Sequence, residues 1–81
     1  MRNVGLLSDG PMTHRQQIGS KIQELRVQRG LSVRQLAEMS GVIYSNISKI
    51  ENGRYNVSVD ILGKIADALG VELTMIEKEA E

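Results

Sequence analysis

Polar side chains with hydrogen-bonding chemistry are concentrated between positions 44 and 49 of the sequence. They are Tyr44, Ser45, Asn46, Ser48 and Lys49. Hydroxyl and amide groups donate and accept hydrogen bonds, and the lysine adds a cation. The chemistry that this group offers is recognition of a polar or anionic surface. An ordinary solvated helix face has the same composition, so the arrangement of the surrounding chain must decide between the two interpretations.

Groups that could carry out catalysis are missing from the sequence. His14 is the only histidine, there is no cysteine, and neither a phosphate-binding glycine loop nor a pair of carboxylates in a predicted cleft is present. A single imidazole near a helix start is usually a surface residue. We therefore expect no enzymatic activity, no catalytic residue, no cofactor and no metal site.

The polar group lies in a segment, residues 33–52, that is typical of two short helices joined by a tight turn. Leu36 and Ala37 share one face of the first helix, and Ile47 and Ile50 lie three residues apart on the inner face of the second. Gly41 permits the left-handed backbone that ends a helix sharply. This pattern predicts a helix-turn-helix, whose second helix can enter the major groove of DNA while its polar side chains point away from the core.

Two further helices are predicted to support this segment. The first opens with a capping box at Thr13 and Gln16 and ends near Arg29, and a second capping box, at Ser32 and Gln35, starts helix 2. Ser58 is the expected cap of helix 4, which Gly70 ends. Helical spacing predicts that the two outer helices bury seven aliphatic side chains: Ile18, Ile22, Leu25, Ile61, Leu62, Ile65 and Leu69.

The predicted organisation is one small all-α domain over residues 13–70, with four to five helices. Residues 1–12 lack periodicity and are predicted to form a flexible tail. Residues 71–81 are predicted to form a short β-strand or a short helix followed by an acidic tail. Val71, Leu73 and Met75 alternate with polar residues, which favours the strand. A lone strand needs a partner, and the same segment of a second subunit would supply one, so this segment is a candidate dimerisation element.

Charge is balanced over the whole chain of 81 residues but is distributed unevenly along it. Residues 1–56 contain eight Lys and Arg and four Asp and Glu, whereas residues 57–81 contain two and six, giving +4 and −4. A basic helix-turn-helix and an acidic remainder would suit a DNA-binding protein, although chance clustering of surface charge is the alternative. No apolar run is long enough to span a bilayer, so we expect a cytoplasmic protein without a membrane partner.

Four sequence segments resemble segments of one known family, in the same order and at nearly the same spacing: IGSKIQELRVQRGLS, VRQLAEMSGV, NISKIENGRYN and ILGKIADALGV. From Ile18 to Val71 the chain resembles the Cro and lambda-repressor type of helix-turn-helix domain, also called the XRE type. The resemblance covers roughly two-thirds of the chain. It implies a compact lambda-repressor-like DNA-binding fold.

The resemblance also implies which residues meet DNA. Base contacts are expected from Tyr44, Ser45, Asn46 and Lys49. Phosphate contacts are expected from Ser32, Arg34, Ser48, Asn52, Arg54 and Tyr55, several of which have competing roles as helix caps or loop residues. Val33 departs from the family because a base-contacting glutamine is common at its position, and Ile43 departs because it replaces a capping serine or threonine.

A structural ion pair between Arg26 and Glu51 is a further implication of the resemblance. The function expected from it is that of a sequence-specific transcriptional regulator, a repressor that binds an inverted-repeat operator on double-stranded DNA as a homodimer. The alternative is an antitoxin that binds a toxin protein and represses its own operon. The possible strand and the acidic C-terminal residues, which could serve such an interface, motivate the alternative.

Overall fold

The computed structural model describes residues 12–79, and four helices form within this range: α1 (His14–Gln28), α2 (Val33–Ser40), α3 (Tyr44–Glu51) and α4 (Val59–Leu69). The closest packing is between α1 and α3, between α2 and α4, and between α2 and α3. The all-α prediction is confirmed. None of these four helices is both long and apolar enough to cross a membrane.

Side-chain caps start three of the four helices, as the sequence predicts. Both capping boxes form: Thr13 Oγ1 accepts from the Gln16 amide at 3.1 Å, and Ser32 Oγ accepts from the Gln35 amide at 3.0 Å. Ser58 Oγ accepts from the Ile61 amide at 3.2 Å. Each bond satisfies a backbone donor that the first helical turn leaves without a partner.

The core is formed by aliphatic side chains from all four helices. Leu36, Ile47, Ile50 and Ile65 are its largest fully buried members, and Ile22 and Leu69 extend it. Burial of both α3 isoleucines fixes which side of that helix faces inward. The prediction for Ile18 was wrong, because this side chain is 37% exposed at the edge of α1, and Leu25, Ile61 and Leu62 are only half-buried.

The corner between α2 and α3 has the predicted geometry. Gly41 adopts φ 74°, in the left-handed region, and its amide donates to the Ala37 carbonyl at 2.9 Å. Val42, directly after it, is 6% exposed and joins the core. The turn therefore changes the direction of the chain, and Val42 anchors the turn to the core.

Gly19 allows α1 and α3 to approach closely. A Cβ atom at this position would overlap the Ile50 carbonyl oxygen and would lie 3.0 Å from that of Glu51. Both obstacles are backbone atoms at the end of α3, so they cannot rotate away as a side chain would. The glycine thus sets the depth at which α3 sits against α1.

Residues 71–79 form neither the predicted strand nor a fifth helix within the described chain. A strand requires a ladder of hydrogen bonds to a neighbour, and a single copy of residues 12–79 contains no other strand to supply it. Val71 packs against the core, whereas Leu73, Met75 and Ile76 are exposed. The predicted N-terminal tail falls outside the described residues except for Met12, as do residues 80 and 81.

We expect Gly19→Ala to lower the free energy of unfolding by about 1–3 kcal/mol, because the added methyl group forces α1 away from α3. Ser20→Ala is the matched control, since Ser20 is the next residue of the same helix and is exposed. Urea denaturation followed by circular dichroism measures both. Equal stability of the two variants would contradict the close approach.

Candidate nucleic-acid interface

The outer face of α3 presents the polar group predicted from the sequence. Tyr44 is 47% exposed, Ser45 and Lys49 are exposed, and Asn46 and Ser48 are half-buried. Ile47 and Ile50 on the opposite face are buried in the core. The core therefore holds α3 in one rotational setting, with its polar side chains turned toward solvent.

Arg34 and Tyr44 lie together where α2 and α3 begin. The guanidinium carbon of Arg34 lies 5.0 Å from the centre of the Tyr44 ring, a distance typical of a cation–π contact. The contact limits the motion of two otherwise exposed side chains and joins a cation to an aromatic ring. The two residues are ten positions apart, and nothing in their local pattern predicts this pairing.

The residues expected to approach phosphate differ in their exposure and in the hydrogen bonds that they already make inside the fold. Ser32 Oγ is occupied as the cap of α2, and Asn52 Nδ2 donates to the Ser48 carbonyl at 2.8 Å. Tyr55 is half-buried against the core. Arg34 and Arg54 are exposed, which leaves these two cations accessible to a ligand.

Two departures from the family pattern are visible at the helix starts. Ile43 precedes α3 without a side-chain hydrogen bond, and it is 68% exposed. The first amides of α3 consequently receive no side-chain acceptor. Val33, at the start of α2, packs partly against the core, so its side chain contributes to the scaffold.

Exposed charges in the described residues are divided between two parts of the chain. The helix-turn-helix and the loop after it contribute three exposed cations, Arg34, Lys49 and Arg54, and one exposed carboxylate, Glu38. α4 and the residues after it contribute two exposed lysines, Lys64 and Lys78, and five exposed carboxylates, at Asp60, Asp67, Glu72, Glu77 and Glu79. An anionic ligand is therefore favoured near α2 and α3 and disfavoured near α4.

The predicted ion pair is formed, and it anchors the end of α3. Arg26 donates from Nε to Glu51 Oε2 at 2.7 Å and from Nη2 to Oε1 at 3.0 Å, with side-chain exposures of 13% and 6%. Its Nη1 donates to the Leu31 carbonyl at 2.8 Å. The hydrogen bond and the charge of Glu51 raise the pKa of Arg26 despite its burial. Because that pKa is raised, loss of the Arg26 proton would remove the stabilisation only above the ordinary arginine range.

A second arginine anchor was not predicted. Arg29 Nε donates to the Leu69 carbonyl at 2.7 Å, and its Nη1 donates to the Leu25 carbonyl at 3.2 Å. This contact joins the end of α1 to the end of α4. An arginine at the C-cap of a helix indicates only a favourable charge for that helix, so its tertiary acceptor could not be read from the sequence.

The described residues contain no group of three or more His, Cys, Asp or Glu side chains that could hold a metal ion.

Comparison with known proteins gives a consistent picture. A family model described as a helix-turn-helix (HTH_3) matches residues 22–76. The HTH-type transcriptional regulator PuuR of Escherichia coli is 36% identical over 63 residues, which is 78% of this chain and 34% of that protein. The immunity repressor of Bacillus phage phi105 is 37% identical over 62 residues, 76% of this chain and 43% of that protein.

A solved structure similar to this chain is that of SinR, the master regulator for biofilm formation, in complex with DNA. It superimposes with a TM-score of 0.66 at 38% identity and covers 68% of this chain and 89% of that one. This chain spans only about a third to two-fifths of the length of PuuR and of the phage repressor. The matched proteins are regulators and a repressor, which agrees with the expectation that the chain is not an enzyme.

We expect Arg26→Ala and Glu51→Ala each to lower the free energy of unfolding by about 3–5 kcal/mol, because each leaves a largely buried charge without its partner. The double variant should lose clearly less than the sum of the single losses. The exposed pair of Lys21 and Glu24, at 3.5 Å, is the control, and its alanine variants should change stability by less than about 1 kcal/mol. Chemical denaturation measures these differences, and additive losses at positions 26 and 51 would argue against a coupled pair.

Proposed function

The chain belongs to the helix-turn-helix family whose model matches residues 22–76, and from this we propose that it is a sequence-specific DNA-binding transcriptional regulator. One observation carries the proposal: the core locks α3 with Tyr44, Ser45 and Lys49 turned outward. The complex of the similar SinR with DNA supports the same assignment.

Base recognition is assigned to the outer face of α3. Lys49 can donate to the O6 and N7 atoms of guanine, while Ser45 and Asn46 offer less discriminating hydrogen bonds. Tyr44 presents both a hydroxyl group and an aromatic face. An α-helix fits the width of the major groove, so these side chains can reach base edges without rearrangement of α3.

Phosphate contacts are assigned to the residues that surround this face. Arg34 and Arg54 are exposed cations, and the uncapped first turn of α3 offers backbone amides to an oxygen ligand. Ser32, Ser48, Asn52 and Tyr55 belong to the same proposed set, with parts of their side chains already used inside the fold. Such contacts would supply much of the affinity and make it depend strongly on salt.

The regulatory mechanism that we propose is repression by a homodimer. Two copies of α3, roughly 34 Å apart, would enter successive major grooves of an inverted-repeat operator and exclude polymerase. The similarity to a phage immunity repressor supports repression over activation. A cytoplasmic location follows from this function, because its ligand is the genome.

An antitoxin role is the second candidate. It is supported by the exposed apolar side chains of Leu73, Met75 and Ile76, which a toxin protein could cover, and by the acidic residues after them. The two roles are compatible, since an antitoxin of this fold can also repress its own operon. Co-purification of a small toxin with the chain would favour this candidate, whereas a gene transcribed alone would count against it.

Replacing Lys49 by alanine should reduce affinity for the selected DNA site by about 1–3 kcal/mol, roughly five- to 150-fold, with little effect on folding. The site is first obtained from random DNA with the unchanged chain, and binding is measured by fluorescence anisotropy. Lys64→Ala is the charge-matched control, since Lys64 is exposed on α4. Unchanged binding by the Lys49 variant would count against α3 as the reading helix.

Replacing Arg34 by alanine should weaken binding to all DNA sequences to a similar extent, because a phosphate contact carries no base information. The slope of log K against log salt should become shallower by about 0.9. Anisotropy titrations at several salt concentrations on the selected site and on a scrambled site measure both effects. A loss confined to the selected site would instead indicate that Arg34 acts on base recognition through Tyr44.

A further inference from the structure

An apolar groove opens between α1 and α4, away from the proposed DNA-binding face. Its volume is about 280 Å³, and its α1 wall is formed by Ile18, Lys21, Ile22 and Leu25, which follow one another at helical spacing. Leu62, Ile65, Ala66 and Leu69 form the α4 wall, and residues 71–73 close one end. Ile18, predicted to be buried, is exposed at this groove.

The tail beside the groove carries apolar side chains that the described chain does not cover. Met75 is 98% exposed and Ile76 is 86% exposed, whereas Val71, only four residues earlier, packs on the core. Within residues 12–79, a groove without an occupant and an apolar segment without a cover therefore lie next to each other. A two-fold dimer requires this kind of self-complementary surface, because each copy must supply both halves of the contact.

Gly63 gives an independent indication of close approach. It lies inside α4, where glycine lowers helix stability relative to alanine, and a Cβ atom there would meet nothing within 4 Å. Nothing in the described residues explains this glycine. Val59, Gly63 and Ala66 share one face of α4, and Ala66 lines the groove. Because Gly63 has no side chain, the helix backbone is accessible there, beside the groove.

Charge at the groove favours the same occupant. Two charged residues line the groove, Glu72 after α4 and Lys21 on α1, and the exposed pair of Lys21 with Glu24 at 3.5 Å leaves the ammonium group accessible. The tail that follows the exposed apolar residues carries Glu77 and Glu79. A tail arriving from a second copy would bring these carboxylates toward Lys21.

We infer that the groove receives the tail of a second copy of this chain: Met75 of each subunit lies in the α1/α4 groove of the other, and the crossing backbone approaches α4 at Gly63. The alternation over residues 71–75 gives the two tails the extended form needed to pair with each other about the two-fold axis. The inference rests on the proposed homodimer and specifies which surface forms it.

Cross-linking tests the occupant directly, because the sequence has no cysteine of its own. Chains with Lys21→Cys are mixed with differently tagged chains with Met75→Cys and treated with a short bismaleimide. We expect covalent dimers that contain one chain of each kind. Glu38→Cys, at an exposed position on α2, replaces Lys21→Cys in the control mixture and should give at least tenfold less product. Equal yields in both mixtures would overturn the inference. A chain that carries both Lys21→Cys and Met75→Cys is treated in the same way. If the cross-link forms only within single chains, a subunit's own tail lies in its groove, and the inference is overturned.

Gly63→Ala tests the close approach, because its two effects should have opposite signs. The added methyl group should stabilise the isolated subunit, measured as a higher Tm at a concentration below the dimer Kd. Gly63→Ala should also raise the dimer Kd at least fivefold, measured by sedimentation equilibrium. Met75→Ala should raise the dimer Kd by a similar factor but leave the Tm of the isolated subunit unchanged. Glu38→Ala, on α2, should leave the dimer Kd unchanged. A dimer Kd unaffected by Gly63→Ala and Met75→Ala, or a chain that stays monomeric at millimolar concentration, would refute the surface.

DNA binding is measured in a separate retardation assay, so that the proposed DNA-binding function and the proposed dimer interface can each be rejected without the other. A chain that retards the selected DNA at low salt but gives no specific cross-link would retain its proposed function and lose this interface. A chain that forms the specific cross-link but retards no DNA would lose the proposed function alone.

Discussion

The ion pair between Arg26 and Glu51 fixes the position of α3 relative to the rest of the domain. One guanidinium group satisfies both carboxylate oxygens of Glu51 and the carbonyl of Leu31, so it joins the end of α1, the turn before α2 and the end of α3. A buried pair of this kind contributes less to net stability than to fixing one arrangement, because desolvation offsets much of its attraction. The arrangement that it fixes is the one in which α3 presents its polar face.

Short helices make this anchoring necessary. α2 and α3 contain eight residues each, too few to be stable in water without packing, and α3 also lacks a side-chain cap. Their conformation depends on buried Leu36, Ile47 and Ile50 and on the close approach that Gly19 permits. The same contacts that stabilise α3 therefore determine its rotation, and the proposed recognition surface follows from core packing.

The division of charge separates the two proposed interfaces. Exposed cations outnumber exposed carboxylates on α2, α3 and the loop after them, whereas carboxylates predominate on α4 and after it, so an anionic ligand is favoured at one part of the domain and disfavoured at the other. A neutral total charge is consequently compatible with nucleic-acid binding. The groove between α1 and α4 is lined by none of the proposed DNA-contacting residues, so the proposed tail contact and the proposed DNA contact use different surfaces.

Sequence alone determined the local features of this protein. Helix starts at Thr13, Ser32 and Ser58 depend on a side chain bonding to an amide three residues away, and the turn at Gly41 depends on a single backbone conformation, so both could be predicted from neighbouring residues. The inward face of α3 followed from its isoleucine spacing. The pair of Arg26 and Glu51, 25 residues apart, was predicted only because the chain resembles a known family.

Tertiary structure decided what depends on how the helices approach one another. Helical spacing marked Ile18 for burial, but it cannot reveal that α1 and α4 leave a groove open at that position. Gly19 has no local signal, since only the α3 carbonyls opposite it explain the missing side chain. The stacking of Arg34 on Tyr44 and the bond from Arg29 to Leu69 likewise join residues distant in sequence. Periodicity specifies which face of a helix is apolar, whereas the neighbour that covers this face is set by packing in three dimensions.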